Sequence, residues 1–436
     1  LFALGYTWPM LDIKLIRQDP ELIRTSIRRR NIDASKADVD ALLERDEQWR
    51  EAGKRVNELR ARRNELSSSI KKLDPKARKA AIEEVKGLKT ELAEVETKVE
   101  SLAAERDALL RLMPNVLADD VPEGKTDEEN LEVSRWGDVP SFDFEPRDHV
   151  ELGQLTDTID FDRAAKVTGS NFYYLKREAV LLEQALLAFA ASKLVPEGFV
   201  PMATPDLARA EVLEGIGFAP RGPEKQVYNV EESDLCLVGT AEITVGGYHA
   251  DEILSGDQLP LRYLGFSHCF RTEAGAYGRE SRGLYRVHQF SKAEMFVLCT
   301  EDDSLAQHEA LRDYEEQLLQ ALGVPYRVVN VCAGDLGAPA AKKYDIEAWM
   351  PGRKAYGEVT SCSNCLDYQA RRLKIRYRPE AKASPKFVHL LNGTALAISR
   401  TLIAIYENNQ RADGSIAIPE VLRPYLGGLG SIPARA

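Results

Sequence analysis

The sequence predicts an α+β protein in which a long antiparallel coiled-coil hairpin precedes a mainly antiparallel sheet flanked by helices. Three observations carry this. Heptad-spaced apolar residues run through 38–113 with one break, at Asp74-Pro75. From about Val150 onward, strand-like segments outnumber the helices that could cross over between parallel strands. The stretch 261–298 reads as two such strands around a loop holding Gly275, Gly278 and Gly283, because Leu264, Phe266, His268 and Phe270 alternate with Tyr263, Gly265, Ser267 and Cys269.

Residues 1–9 precede Met10, a conventional start, and read as upstream or appended sequence. LDIKLI (11–16) reads as strand-like, and Asp19-Pro20-Glu21 opens a helix with proline in its first turn and acid nearby. With Leu42 as a heptad a position, the a/d series Leu42, Arg45, Trp49, Ala52, Val56, Leu59, Arg63, Leu66, Ile70, Leu73 departs from apolar only at its two arginines. Val85, Leu88, Leu92, Val95, Val99, Leu102, Arg106 and Leu109 supply the returning helix, which Pro114 ends. Two helices of ~35 residues, rising ~1.5 Å per residue, make an arm ~50 Å long. A first domain is therefore expected over 10–113, with its arm at about 38–113.

Residues 114–148 are rich in Pro, Gly, Asp and Glu, lack a period, and read as a linker. The second domain, 149–436, is expected to hold helices over 177–194, near 208, and over 305–322 and 366–377. Besides the central hairpin, strands are expected over 199–204, 326–331, 344–349 and 355–359. A final strand over 387–391 should run into a helix over 394–408.

A chain of 436 residues has room for two or three domains, and 44% hydrophobic residues supply an ample core. No apolar run approaches the ~20 residues of a membrane span, so no membrane partner is expected. Six cysteines in so long a chain do not make a disulfide framework, which points to a reducing cytoplasm. The net charge of −11 argues against a nucleic-acid partner, but its distribution matters more. Residues 50–90 hold 13 Lys/Arg against 6 Asp/Glu, a local +7. Arg55, Arg60, Arg62, Lys71, Lys72, Lys76, Arg78 and Lys79 crowd the distal arm outside the a/d seam. They read either as a solvated face supported by i,i+4 pairs or as a surface for a phosphate backbone.

On the second central strand Phe290, Lys292 and Glu294 share one face. Together with Arg271 and Glu273 they suit a flat heterocycle carrying phosphates, such as ATP, or make an ordinary hairpin with a salt-bridged face. Arg400 lies in a nearly all-apolar helix and needs an anion, which a structural carboxylate or a ligand can supply. Asn392-Gly393-Thr394 reads as a turn at that helix's N-terminus. Thr240-Ala241-Glu242 reads as a helix N-cap or a binding turn. Glu358 with Thr360 and Ser361 reads as a strand-end metal or ribose contact, or an exposed strand end. Cys362 and Cys365 have no second CxxC and no HxxxH partner, so no zinc is expected. His288 reads as a satisfied group rather than a base, and neither the P-loop nor the Rossmann motif is present.

Taken together, TAE (240–242), FRTEAG (270–275), RVHQF (286–290), GEVTSCSN (357–364) and LNGTALAISRT (391–401), behind a helical hairpin, resemble the bacterial-type seryl-tRNA synthetase family of class II. The resemblance spans 10–428. It implies a class II catalytic domain over 149–436 and a tRNA-binding arm in front. ATP contacts would come from Arg271, Thr272, Glu273, Val287, Phe290, Glu358, Val359, Thr360, Ser361 and Arg400, with Arg271 on the α-phosphate and Arg400 on the γ-phosphate. Glu358 and Ser361 would hold Mg²⁺, and Arg271, Arg400 and Glu358 would be catalytic. Thr240, Ala241, Glu242, Glu294, Asn392 and Thr394 would bind L-serine, with Thr394 standing where many relatives carry serine. Pro205 would lie at a homodimer interface, and tRNA(Ser) and tRNA(Sec) would be the partners. Two other readings fit less of the chain. A ligase charging a carrier protein would lack the arm, and a non-catalytic coiled-coil protein would not retain Arg271, Glu273, Glu294 and Arg400.

Overall fold

The computed structural model describes residues 12–218, 226–274 and 282–435, without the side chain of Lys72. Residues 1–9, Gly275 and Gly278 of the sequence reading lie outside the described residues. The chain divides into two units, Leu1–Val116 and Leu117–Ala436.

In the first unit, Leu11 of the strand expected over 11–16 lies outside the described residues, and the rest is not a strand. Asp12 accepts a hydrogen bond from the Lys14 amide (2.8 Å) and caps helix α1 (Ile13–Gln18), whose Ile16 is buried. A side-chain cap outweighs so short an alternation. Asp19 caps α2 (Pro20–Arg29) as the sequence predicts. The arm follows as α3 (Val39–Ser69) and α4 (Pro75–Arg111), capped by Asp38 and Asp74 and joined through a 3₁₀ turn at Ile70–Lys72. Its seam holds Val56, Leu59 and Leu92, flanked by Leu88, Val95 and Val99. Ion pairs stitch the two helices antiparallel: Arg45–Glu105 (3.1 Å), Arg55–Glu91 (2.6 Å), Arg60–Glu96 (2.7 Å) and Arg62–Glu84 (3.3 Å).

The second unit is built on an eight-stranded sheet. In chain order its strands are β1 (Leu131–Trp136), β2 (Val200–Ala203), β3 (Leu261–Phe270), β4 (Gln289–Cys299), β5 (Tyr326–Asn330), β6 (Lys342–Met350), β7 (Ala355–Asn364) and β8 (His389–Ala397). Across the sheet they run β1-β5-β6-β7-β8-β4-β3-β2, and every neighbouring pair is antiparallel except β2 with β3. Helices α5 (Glu178–Leu194), α7 (Ser304–Leu322) and α8 (Ile398–Asn408) share one large core with the sheet, while α6 (Ala241–Gly247) packs in a second.

Four expectations need correction. The stretch read as a linker contains β1, which pairs with β5 and stacks Trp136 on Tyr326. All six of its residues are exposed, so it carries no burial signature to read. The helix near 208 begins one step later, because Leu207–Arg209 is a strand and Ala210–Ile216 the helix. The helix over 366–377 is Tyr368–Leu373 followed by a strand, Arg376–Arg378. Finally, Asn392, Gly393 and Thr394 are not a turn but lie within β8, paired with Phe296, Met295 and Glu294 of β4. A short apolar run buried on both faces does not distinguish strand from helix.

Glu178–Glu197 is long and apolar enough to cross a membrane by length and composition, which the sequence reading overlooked. Its Leu182, Leu186, Phe189 and Leu194 lie in the large core.

The face of β3 that carries Gly265 packs against α6. A Cβ on Gly265 would stand 2.9 Å from the Ala241 Cβ and 3.0 Å from a Val245 methyl. Glycine there lets the turn Thr240–Glu242 sit directly on the sheet. Gly265→Val is therefore expected to cost ~1–3 kcal/mol by overpacking, read as a lower urea midpoint. An unchanged midpoint would show that α6 can retreat freely.

Candidate active site

The site forms where two strands part. β7 and β8 pair only over Cys362–Gly393, Ser363–Asn392 and Asn364–Leu391. Beyond that, β7 continues along β6 to Ala355, and β8 continues along β4 to Ala397. The gap leaves backbone groups of β7 without a strand partner on that side, and Arg400, in the first turn of α8, answers one of them. Its Nη1 donates to the Glu358 carbonyl at 3.0 Å and lies 3.2 Å from the Glu358 carboxylate. Its Nε donates to the Tyr285 carbonyl (3.4 Å), and its guanidinium stacks over the Tyr285 ring, 4.6 Å from the centroid. The anion that the sequence demanded for Arg400 is thus present within the chain.

Both parting strands carry a bulge. Opposite β6, Ile346 faces Thr360 but Glu347 faces Glu358, so Val359 is the extra residue. Opposite β4, Thr394 faces Glu294 but Leu396 faces Ala293, so Ala395 is the extra residue. A bulge resets the two-residue alternation. Glu358 and Ser361, three apart, therefore both reach the same cavity, as do Thr394 and Ala397. Val359 is buried in the core, and the Thr360 hydroxyl is engaged in donating to Glu315 Oε2 (2.8 Å).

The cavity encloses about 520 Å³. Of the predicted residues, Thr240, Glu242, Arg271, Glu273, Val287, Phe290, Glu294, Glu358, Val359, Thr360, Ser361, Asn392, Thr394 and Arg400 line it. Two do not. Ala241 is buried under Gly265, and the Thr272 amide is bonded to the Gln226 carbonyl (3.1 Å). Arg271 donates through Nε to the Gly239 carbonyl (3.2 Å) and lies over Phe290, 5.4 Å from the centroid. His288 is satisfied as predicted, its Nδ1 lying 2.9 Å from the Arg271 carbonyl oxygen.

At the other end, carboxylates meet hydroxyl and amide groups. Glu294 holds Lys292 (2.5 Å) and accepts from Thr394 Oγ1 (3.4 Å). Glu242 Oε1 accepts from Gln369 (2.7 Å) and Asn392 (3.0 Å). Thr240 caps α6, accepting from the Glu242 amide (3.2 Å), as the N-cap reading expects.

Sequence reasoning assigned no role to Tyr285, Arg286, Lys343 or Ser399, which also line the cavity. Lys343 is paired with Asp345 at 2.8 Å. The Lys343–Asp345 spacing is the only trace of this in the sequence, and it becomes meaningful once β6 is known to adjoin the bulged β7.

These placements set the charges. Burial would raise the Glu358 carboxyl, but Arg400 first, then Lys343 and Arg271, more than offset it and hold it well below the usual range. Glu242 goes the other way: burial, reinforced by Glu294, raises it from 4.5 to about 7. The fully buried Glu315 is raised well above its ordinary value by burial, against the Thr360 hydrogen bond. An acid raised in the folded state favours folding below its unfolded value and loses that contribution as pH climbs through the folded value. Glu242→Gln should therefore flatten part of the fall in thermal midpoint between about pH 4.5 and 7; an unaltered slope would mean that Glu242 ionises normally.

Residues 10–117 match the family model of the seryl-tRNA synthetase N-terminal domain, and residues 226–409 that of the tRNA synthetase class II core domain (G, H, P, S and T). A serine–tRNA ligase from Dictyoglomus turgidum is 55% identical over 418 residues, covering 96% of this chain and 98% of the relative. The crystal structure of seryl-tRNA synthetase from Pyrococcus horikoshii complexed with ATP superposes with a TM-score of 0.93 at 41% identity, covering 98% of this chain and all of that one. A cytoplasmic serine–tRNA ligase from Naegleria fowleri in complex with AMP gives a TM-score of 0.87 at 32% identity, again covering 98% of this chain and all of that one. On both sequence and structure, this chain belongs to the seryl-tRNA synthetase family.

Proposed function

We propose that the chain activates L-serine with ATP and transfers it to tRNA(Ser). The observation that carries this is the meeting of Arg271, Arg400 and Glu358 in one cavity with the Glu242–Glu294–Thr394 cluster. The first step joins a serine carboxylate oxygen to the α-phosphorus and breaks the bond to the β-phosphate oxygen, releasing pyrophosphate. In the second, the terminal adenosine hydroxyl of the tRNA attacks the carbonyl carbon and AMP leaves. No protein nucleophile is needed, since positioning and charge stabilisation suffice. Arg271 would hold the α-phosphate, Arg400 the γ-phosphate, and Phe290 would stack on adenine. Glu273 and Val287 would border the adenine; Thr272, whose amide is bonded to the Gln226 carbonyl, is not among the lining residues.

Glu358 and Ser361 share a face and offer hard oxygen donors, which suits Mg²⁺. Among the described residues no cluster of three His, Cys, Asp or Glu forms a complete cage, so phosphate oxygens would finish the coordination. Bound there, the ion would neutralise phosphate charge. At the serine end, Glu242 faces where an ammonium would sit, and Glu294 with Thr394 would receive the hydroxyl. Alanine is then rejected because it would leave buried polar groups unpaired. Thr394 keeps the hydroxyl that serine supplies in many relatives and adds a methyl to the pocket wall.

The arm, at about 38–113 within a tRNA-binding domain of 10–113, would grip the tRNA by shape and backbone. Arg55, Arg60 and Arg62 already spend their charge on glutamates of the facing helix. Lys71, Lys76, Arg78 and Lys79 have no ionic partner among the described residues, which favours the tip as the phosphate surface. Family likeness supports tRNA(Sec) as a further substrate and the cytoplasm as the location. A homodimer is proposed through the β2 edge, where Val200 is 53% exposed beside Pro205.

ATP–pyrophosphate exchange with all twenty amino acids, followed by tRNA charging, tests the reading. Exchange should depend on serine, and stronger activation by threonine or alanine would overturn the specificity. Arg271→Ala should lower exchange by ~10²–10³-fold or more with the fold intact; near-normal exchange would remove its phosphate role. Replacing Lys71, Lys76, Arg78 and Lys79 together by Ala should weaken tRNA charging and reduce its salt dependence while sparing exchange. Equal charging at all salt concentrations would clear the tip of that role.

A further inference from the structure

Behind the cavity lies a buried latch. Glu407 is fully buried, and its Oε1 accepts from the His149 amide (3.0 Å) and meets His149 Nδ1 (2.8 Å). Its Oε2 accepts from the Gly352 amide (2.8 Å). The other ring nitrogen of His149, Nε2, accepts from the Leu284 amide (3.0 Å). Since Nε2 is the acceptor, Nδ1 carries the hydrogen and donates to Glu407, which fixes the tautomer. Asp148 adds a second hold on the same return through Arg282 (2.8 Å).

Two glycines make this approach possible. Gly283 has φ +73°, and a Cβ there would stand 2.0 Å from His149 Nε2. A Cβ on Gly352 would stand 3.0 Å from Glu407 Oε1. Each element the latch ties carries a cavity group. Leu284 precedes Tyr285, whose carbonyl and ring face Arg400. Gly352 lies in the turn between β6 and β7, the strand that bears Glu358. Glu407 itself follows Arg400 by seven residues, two turns on the same face of α8.

We propose that Glu407 and His149 are positioning residues for the nucleotide half of the site, setting Arg400 against Tyr285 and Glu358 through this latch. The proposal rests on the serine-activating reading above. None of the latch's contacts reaches Glu242, Glu294 or Thr394, so its loss should fall on ATP and not on serine.

The test is serine-dependent ATP–pyrophosphate exchange by the full-length enzyme and its Glu407→Gln, His149→Phe and His149→Gln variants, each checked for cooperative thermal unfolding. In Glu407→Gln and His149→Phe the KM for ATP should rise ~10-fold or more while the KM for serine stays within ~2-fold. In His149→Gln the amide oxygen can still accept from the Leu284 amide, and most of the loss should be recovered. A purely structural role would lower kcat with the active fraction and leave both KM values alone. That result, a parallel rise in both KM values, or a His149→Gln variant no better than His149→Phe overturns the latch. Glu407→Gln is nearly isosteric, so it keeps the question answerable if His149→Phe does not fold. Absence of serine-dependent exchange in the unaltered enzyme would remove the underlying reading; normal exchange there with unshifted variants removes the latch alone.

Discussion

The parting of β7 from β8 is the constraint on which the rest of the site depends. Two strands that separate inside a sheet expose backbone groups that must find partners or water. Here the first turn of α8 is set at the gap, and Arg400 plugs it. One guanidinium nitrogen meets the Glu358 carbonyl, and the same nitrogen faces the Glu358 carboxylate. An arginine suits this position because its planar fork addresses several acceptors at once without losing its charge. A lysine there could not reach the Tyr285 carbonyl from a second nitrogen.

The bulges at Val359 and Ala395 complete the arrangement by aiming side chains. Without them, Glu358 and Ser361 would point to opposite faces of the sheet, and so would Thr394 and Ala397. The same offset turns Thr360 downward, where its hydroxyl meets the buried Glu315. Gly393 admits that carboxyl, since a Cβ there would stand 3.0 Å from Glu315 Oε1. Sheet irregularity, a buried acid and a strand glycine are therefore one feature, seen from three residues.

Much of this was legible in the sequence, and what was not has a common physical origin. The arm could be read because its apolar repeat is long and its breaks are marked by Asp-Pro. The central hairpin could be read because alternation persists over whole strands. What escaped was decided by contacts between distant segments. β1 exists because β5 offers it an edge, not because of any pattern of its own. Asn392-Gly393-Thr394 lies in a strand because β4 and β7 flank it on both sides. The bulges are invisible in sequence, since they are properties of paired strands. Most of the named site residues nonetheless line one cavity, because the family likeness fixes positions in the chain independently of how the strands turn them.

The cavity's cations differ in one respect that bears on its chemistry. Arg400 is matched by Glu358, Lys343 by Asp345, Lys292 by Glu294 and Arg286 by Glu273. Arg271 is the exception: among the described residues its side chain meets a backbone carbonyl and an aromatic face, but no carboxylate. Its charge still acts across space on the Glu358 and Glu242 carboxyls, pulling each downward against its burial. Since no carboxylate touches it directly among the described residues, its planar fork is not committed to an acid in the way its neighbours' charges are, and a fork of that kind is matched in geometry to an oxyanion.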